Sequence, residues 1–126
     1  VLGAAEVILN RVESNRWPNS VCGVVHQGPL NKWWKKQGKI VPVKWKCQFS
    51  YYCDGKSDDV SNIVGTKTWA KVIKAVNFVY SQFGKLQRDG ISITNGATHY
   101  HTTRVNPRWG PLLEHTITIQ DHKFFR

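Results

Sequence analysis

Acid is scarce in this chain and methionine is absent. Eight Asp and Glu stand against 18 Lys and Arg in 126 residues, a formal charge of +10 at pH 7. Any carboxylate chemistry within it must come from Glu6, Glu13, Asp54, Asp58, Asp59, Asp89, Glu114 or Asp121. A balance this basic favours a polyanionic partner, and nucleic acid, an anionic membrane and an anionic cell wall all qualify. No run of about 18 apolar residues is present, which excludes a membrane-spanning helix; the longest apolar stretch is interrupted by Glu6 and Asn10. Cysteine is limited to Cys22, Cys47 and Cys53, an odd count that cannot close into a disulfide framework. One bridge with a free thiol and three reduced thiols both stay open. No CxxC pair occurs, so a cysteine-rich zinc site has little support. Repeats and low-complexity segments are also missing. What is there is an apolar fraction of 40% with six Trp, five Phe and four Tyr. That is enough to build one core in a chain of single-domain length and excludes disorder.

Helical and strand periods divide the chain. Leu2, Ala5, Leu9 and Val12 fall on one helical face, and Glu6, Asn10 and Glu13 on another, which reads as solvated. Pro18 predicts that this helix ends near Ser14 to Trp17. Residues 20–27 form a short apolar segment, helix or strand. Residues 28–46, GPLNKWWKKQGKIVPVKWK, hold six Lys, three Trp and no acid. They read as a loop, with Lys39 to Lys44 as an edge strand limited by Pro42. The clearest helix is expected over Thr66 to Phe83, with an apolar stripe of Trp69, Val72, Ile73, Val76, Val79, Tyr80 and Phe83 and a stop at Gly84. Asp54-Gly55, Asp89-Gly90 and Asn95-Gly96 are turn signals. Ala97 to His101 reads as a short strand. His115 to Gln120 alternates Thr and Ile, which predicts a strand with Ile117 and Ile119 inward. Helices first and short strands later point to an α+β fold.

Three groups of residues suggest chemistry. His99 and His101 share one face of a strand, with His115 and His122 following, a conceivable metal set without a known zinc spacing. Trp33, Trp34 and Trp45 stand among Lys32, Lys35, Lys36, Lys39, Lys44 and Lys46. Such rings can stack on bases while Lys meets phosphate, or on sugar faces while Lys serves an anionic wall polymer, or cover the core while Lys solvates the surface. Among the acids, Asp54 lies in a turn after aromatics, the setting of a binding cleft or of simple turn capping.

Several strings together resemble one family, the SleB/CwlJ-type cell wall hydrolases. They are VILNRVESNRWPNSVCGVVHQ from Val7, CQFSYYCDGK from Cys47, TNGATHYH from Thr94, Asn106-Pro107 with Trp109, and the terminal IQDHKFFR. In this order they span nearly the whole chain. The resemblance implies one cell wall hydrolase domain over residues 1–126, with a lysozyme-like helical core, a small antiparallel sheet and residues 28–46 as a basic Trp-rich insertion. It implies cleavage of peptidoglycan glycan strands, as a lytic transglycosylase or muramidase, by a glutamate acting first as acid and then as base. No metal and no cofactor are implied. The family's glutamate precedes the VILNRV helix, so the resemblance places it upstream of Val1, and Glu6 does not inherit the role. It nominates Ser50, Asp54 and Tyr100 as catalytic. Gln48, His99, His101 and Asn106 are nominated for substrate, with Trp33, Trp34 and Trp45 as a wall-binding lip. Glycan strands are the expected partner and an extracytoplasmic location is implied. A phage origin, in a virion among other virion proteins, fits the insertion, and nucleic acid is the least favoured partner. An inactive wall-binding or virion structural module is the first alternative, and a zinc-dependent amidase the second.

Overall fold

Glycine at position 3 allows a close approach between the first helix and the sheet. In the computed structural model, which describes residues 2–126, the ring of Phe124 lies against the first helix, α1 (Leu2–Glu13), at Gly3. A Cβ on Gly3 would sit 2.5 Å from Phe124 Cζ. Around this contact Val7, Ala97 and Phe124 form the buried centre, with Tyr100, Ile117 and Ile119 packed on it. α1 also packs against α2 (Val21–Val25) and the long α4 (Lys67–Arg88).

The buried face of α1 differs from the periodicity. Gly3, Glu6, Val7 and Arg11 are buried, whereas Leu2 is exposed and Ala5, Leu9 and Val12 are half-buried. Polar residues can point inward because the segment before the sheet supplies partners. Glu6, expected on a solvated face, is only 2% exposed. Its carboxylate accepts hydrogen bonds from the Ser92 hydroxyl, from the Ile93 and Thr94 N–H groups at 2.8 and 2.9 Å, and from Thr94 Oγ1 at 2.7 Å. Asn10 Nδ2 donates to the Ala97 carbonyl at 2.8 Å. The first helix is thus stitched to residues 92–98, which lead into the sheet.

Local signals set the remaining elements. Ser20 caps α2 by accepting the Gly23 N–H at 3.0 Å. The stretch expected as a loop with an edge strand instead carries a short helix, α3 (Lys32–Lys36). Asn31 caps it by accepting the Trp33 and Trp34 N–H groups, and the strand reduces to one bridge, Leu30 with Pro42. Pro42 has no N–H with which to extend a ladder. Thr66 caps α4 through the Trp69 N–H at 3.1 Å. That helix runs past Gly84 to Arg88. A helix tolerates one interior glycine at about 1 kcal/mol, and the left-handed turn is taken instead by Gly90, at φ +69°. Of the apolar stripe only Val79 and Phe83 are buried.

The sheet has three antiparallel strands in the order β1 (His99–Thr102), β3 (His122–Phe125), β2 (His115–Ile119). Tyr100 pairs with Phe124 and Ile117 pairs with the same Phe124 from the other side. A bulge at Thr116 frees its hydroxyl to donate to the Thr94 carbonyl at 2.7 Å. Cys47 and Cys53 form a disulfide, and Cys22 is a free, exposed thiol. Among the described residues no helix is long and apolar enough to cross a membrane.

Candidate active site

Two blocks far apart in sequence face each other across a cavity of about 300 Å³. One wall is Gln48, Phe49, Ser50 and Tyr51; the other is His99 to Thr102 of β1 with Val105 and Trp109, and Arg11 of α1 closes the back. The first wall is a short 3-10 helix, Ser50–Cys53, and the disulfide ties its end to Cys47 at its start. Tyr52 stacks on His26 with ring centroids 4.3 Å apart, and the Gln48 N–H donates to the Gln27 carbonyl at 3.0 Å. These contacts anchor the wall to α2.

The second wall is aromatic. Trp109 packs between His99 and His101, with centroids 5.2 and 5.5 Å away, and lies edge-on to Phe125. His101 Nδ1 is 2.6 Å from the Thr102 carbonyl and so donates a hydrogen bond to it. His99 Nδ1 meets the Thr98 hydroxyl at 3.0 Å. Burial first, then the charges of Arg11 and Arg16, holds the His99 pKa below its ordinary value, so the ring is neutral at pH 7. Burial pushes the Tyr100 phenol up, partly offset by Arg11, so it stays a hydrogen-bond donor.

Arg11 is the cavity's buried cation, 2% exposed. Its Nε donates to the Thr98 carbonyl at 2.6 Å, and its guanidinium lies 5.3 Å from the Trp17 ring and 5.4 Å from the Phe49 ring. Nη1 is buried without a hydrogen-bond partner. No carboxylate stands among the lining residues. Glu6 is unsuited to donate a proton there. Burial alone would raise its pKa, but four hydrogen bonds to its oxygens outweigh burial and hold it below the ordinary value, in the ionised form.

Of the residues nominated from sequence, Gln48, Ser50, His99, Tyr100 and His101 come together in this cavity. Asp54 does not. Its carboxylate accepts the Lys56 N–H at 2.8 Å and caps the turn at Gly55, which takes φ +79°. Asn106 is exposed just beyond Val105 and does not line the cavity. Trp33, Trp34 and Trp45 lie on the neighbouring excursion, outside the lining. Trp33 and Trp45 are exposed, so they do not cover the core. Among the described residues no three His, Cys, Asp or Glu side chains cluster as a metal set would. Arg11, Phe49, Tyr51 and Trp109 were not nominated. All four stood inside the recognised blocks, Arg11 in the one that begins at Val7.

The family model for cell wall hydrolases matches residues 2–125. The chain belongs to the cell wall hydrolase family. Among solved structures, the catalytic domain of the germination-specific lytic transglycosylase SleB from Bacillus anthracis is similar. Its TM-score is 0.54 at 22% identity, over 99% of this chain and 76% of that one. The SleB catalytic domain of Bacillus cereus gives a TM-score of 0.48 at 20% identity, over 99% and 73%. No curated protein matches the chain. The architecture is therefore the family's lysozyme-like α+β fold, with α1 and α4 as the helical frame and the three-stranded sheet as the β part.

Proposed function

We propose that the cavity between the Gln48–Tyr51 wall and β1 binds the glycan strand of peptidoglycan and is the place of its cleavage. One observation carries this reading: hydroxyl, imidazole and aromatic side chains from two distant blocks converge on a single cavity in a chain of the cell wall hydrolase family. Sugars bind by ring faces on aromatics and by hydrogen bonds to hydroxyls, and Trp109, Tyr51, Ser50, Gln48 and Tyr100 offer both. The positive back wall at Arg11 suits the carboxylates that muramoyl peptides bear.

The reaction is of the lytic transglycosylase or muramidase type. A carboxylic acid protonates the glycosidic oxygen and the C1–O bond breaks, leaving oxocarbenium-like charge on the muramoyl ring. The resulting carboxylate takes the proton of the 6-hydroxyl, whose oxygen closes on C1 as a 1,6-anhydro ring; attack by water gives a reducing end instead. Tyr100 and Ser50 hydrogen-bond hydroxyl groups of the glycan, which holds the muramoyl ring in place as positive charge develops on C1 and the ring oxygen. The acid is a glutamate, which the cavity lining among residues 2–126 does not supply. In this reading the protein acts on the wall, outside the cytoplasm, as a component of a phage virion or lysis system.

The test is digestion of purified sacculi by the full-length gene product, with mass spectrometry of the released muropeptides. Anhydro-muramic ends are expected, and Tyr100→Phe should slow their release by about a hundredfold with little change in melting temperature. Reducing ends would mean hydrolysis. Sacculus binding without released product would leave a wall-binding or virion structural module.

A further inference from the structure

We infer that residues 28–46 dock the protein on an anionic phospholipid bilayer, at a surface distinct from the cavity. The excursion is a closed knob. The Asn31 N–H donates to the Val41 carbonyl at 2.7 Å and the Val43 N–H to the Pro29 carbonyl at 2.9 Å, which shuts its neck. The Lys39 N–H returns to the Trp34 carbonyl at 3.0 Å, folding the tip back on α3. None of its residues lines the cavity.

Its exposed chemistry has two parts. Six Lys and no acid make it the most one-sided charge run of the chain. Trp33, Trp45 and Ile40 are 60, 65 and 77% exposed, an unusual display of large apolar side chains beside so much charge. Lys39 covers the Trp34 ring at 4.8 Å, and Lys44 lies 5.5 Å from the Trp45 ring. A soluble polyanion needs only the Lys, and a sugar face needs only the rings. Ile40, exposed beside the neck residue Val41, has a partner only where an apolar phase lies beneath an anionic surface. Trp belongs at headgroup depth, Ile at the acyl boundary, and Lys reaches back to phosphate. This surface stands whether or not the cavity cleaves glycan.

Co-sedimentation of the full chain with phosphatidylcholine vesicles, with and without a third of phosphatidylglycerol, tests it. Binding is expected only with the anionic lipid, weakened by salt, with a blue shift of tryptophan emission. Ile40→Lys is the discriminating variant, because it adds charge while removing the most exposed apolar side chain of the excursion. Insertion predicts that its vesicle affinity falls about tenfold, and Trp33→Ser should lower affinity and blue shift together. Both positions are exposed, so the melting temperature should hold. Unchanged or tighter vesicle binding by Ile40→Lys overturns the proposal, as does binding to anionic vesicles with no blue shift of tryptophan emission. Lys35→Glu with Lys36→Glu should abolish binding, and if it does not, the charge part of the argument fails.

Discussion

Two regions meet at the Cys47–Cys53 disulfide and are built in opposite ways. On one side, the cavity wall holds its side chains by packing. Trp109 is wedged between two histidines, Tyr52 is stacked on His26, and Arg11 is clamped between two rings. On the other, the 28–46 excursion is closed at its neck by two backbone hydrogen bonds and leaves its Lys, Trp33 and Trp45 in solvent. Chemistry that needs fixed geometry sits where the fold over-determines it. Chemistry that needs only charge and apolar surface sits where the fold leaves it free. Substitutions should therefore cost stability on the first side and partner binding on the second.

The largest effect is expected at the anchor behind the cavity. Glu6→Ala strips a buried acceptor from four donors and should destabilise by about 3 kcal/mol or more in urea unfolding. A change within about 0.5 kcal/mol would mean that the stitch between α1 and residues 92–98 does not hold the frame. Opening the disulfide comes next. Cys47→Ser, or reductant, should cost about 2 kcal/mol, and it should also lower the affinity of muropeptides for the cavity, because the 3-10 helix bearing Ser50 loses its clamp. Unaltered ligand affinity after reduction would show the two regions to be mechanically separate.

Acid should act on the cavity side alone. His99 is held below its ordinary 6.5, so near that pH the unfolded chain binds more protons than the folded one, and stability rises with pH. The His99 contribution is fully present above about pH 6.5 and is lost as the pH falls below it. Glu6, held below 4.5, acts with the same sign further down, its contribution present above about pH 4.5 and lost below. Unfolding free energies between pH 5 and 7 should show the first slope, and His99→Gln should flatten it. The smallest effect is expected on the excursion. Lys35→Glu with Lys36→Glu should leave stability within about 0.5 kcal/mol of the parent chain, by thermal or urea unfolding; a larger loss would make the knob part of the structural frame.

Much of the fold was legible because short-range signals agree with it. The turn glycines at 55, 90 and 96 do take positive φ, and Ile117 and Ile119 of the Thr-Ile alternation pack toward the core. The cavity residues Ser50, His99, Tyr100 and His101 came from family blocks, not from spacing. Three features were misread. Asn31 caps a helix in the stretch expected to be a loop with an edge strand, because its side chain accepts two N–H groups where Pro42 ends any ladder. Gly84 lies inside α4, because Gly90 takes the left-handed turn. Glu6 looked solvated, because its partners are more than eighty residues away.

Local pattern in the chain by itself determined α1, α4 and the strands as element types, the charge of the 28–46 segment and the family. Those depend on neighbours in sequence: period, turn residues, and motifs in order. Only the tertiary structure decided which face of α1 turns inward, which two cysteines bond, and which nominated side chains share a cavity. The first and the last depend on residues brought together from distant parts of the chain, whereas Cys47 and Cys53 are six apart and only the fold leaves Cys22 out. A buried Glu or Arg is tolerable only when such residues supply its hydrogen bonds and ring faces, and no window of neighbouring residues contains them.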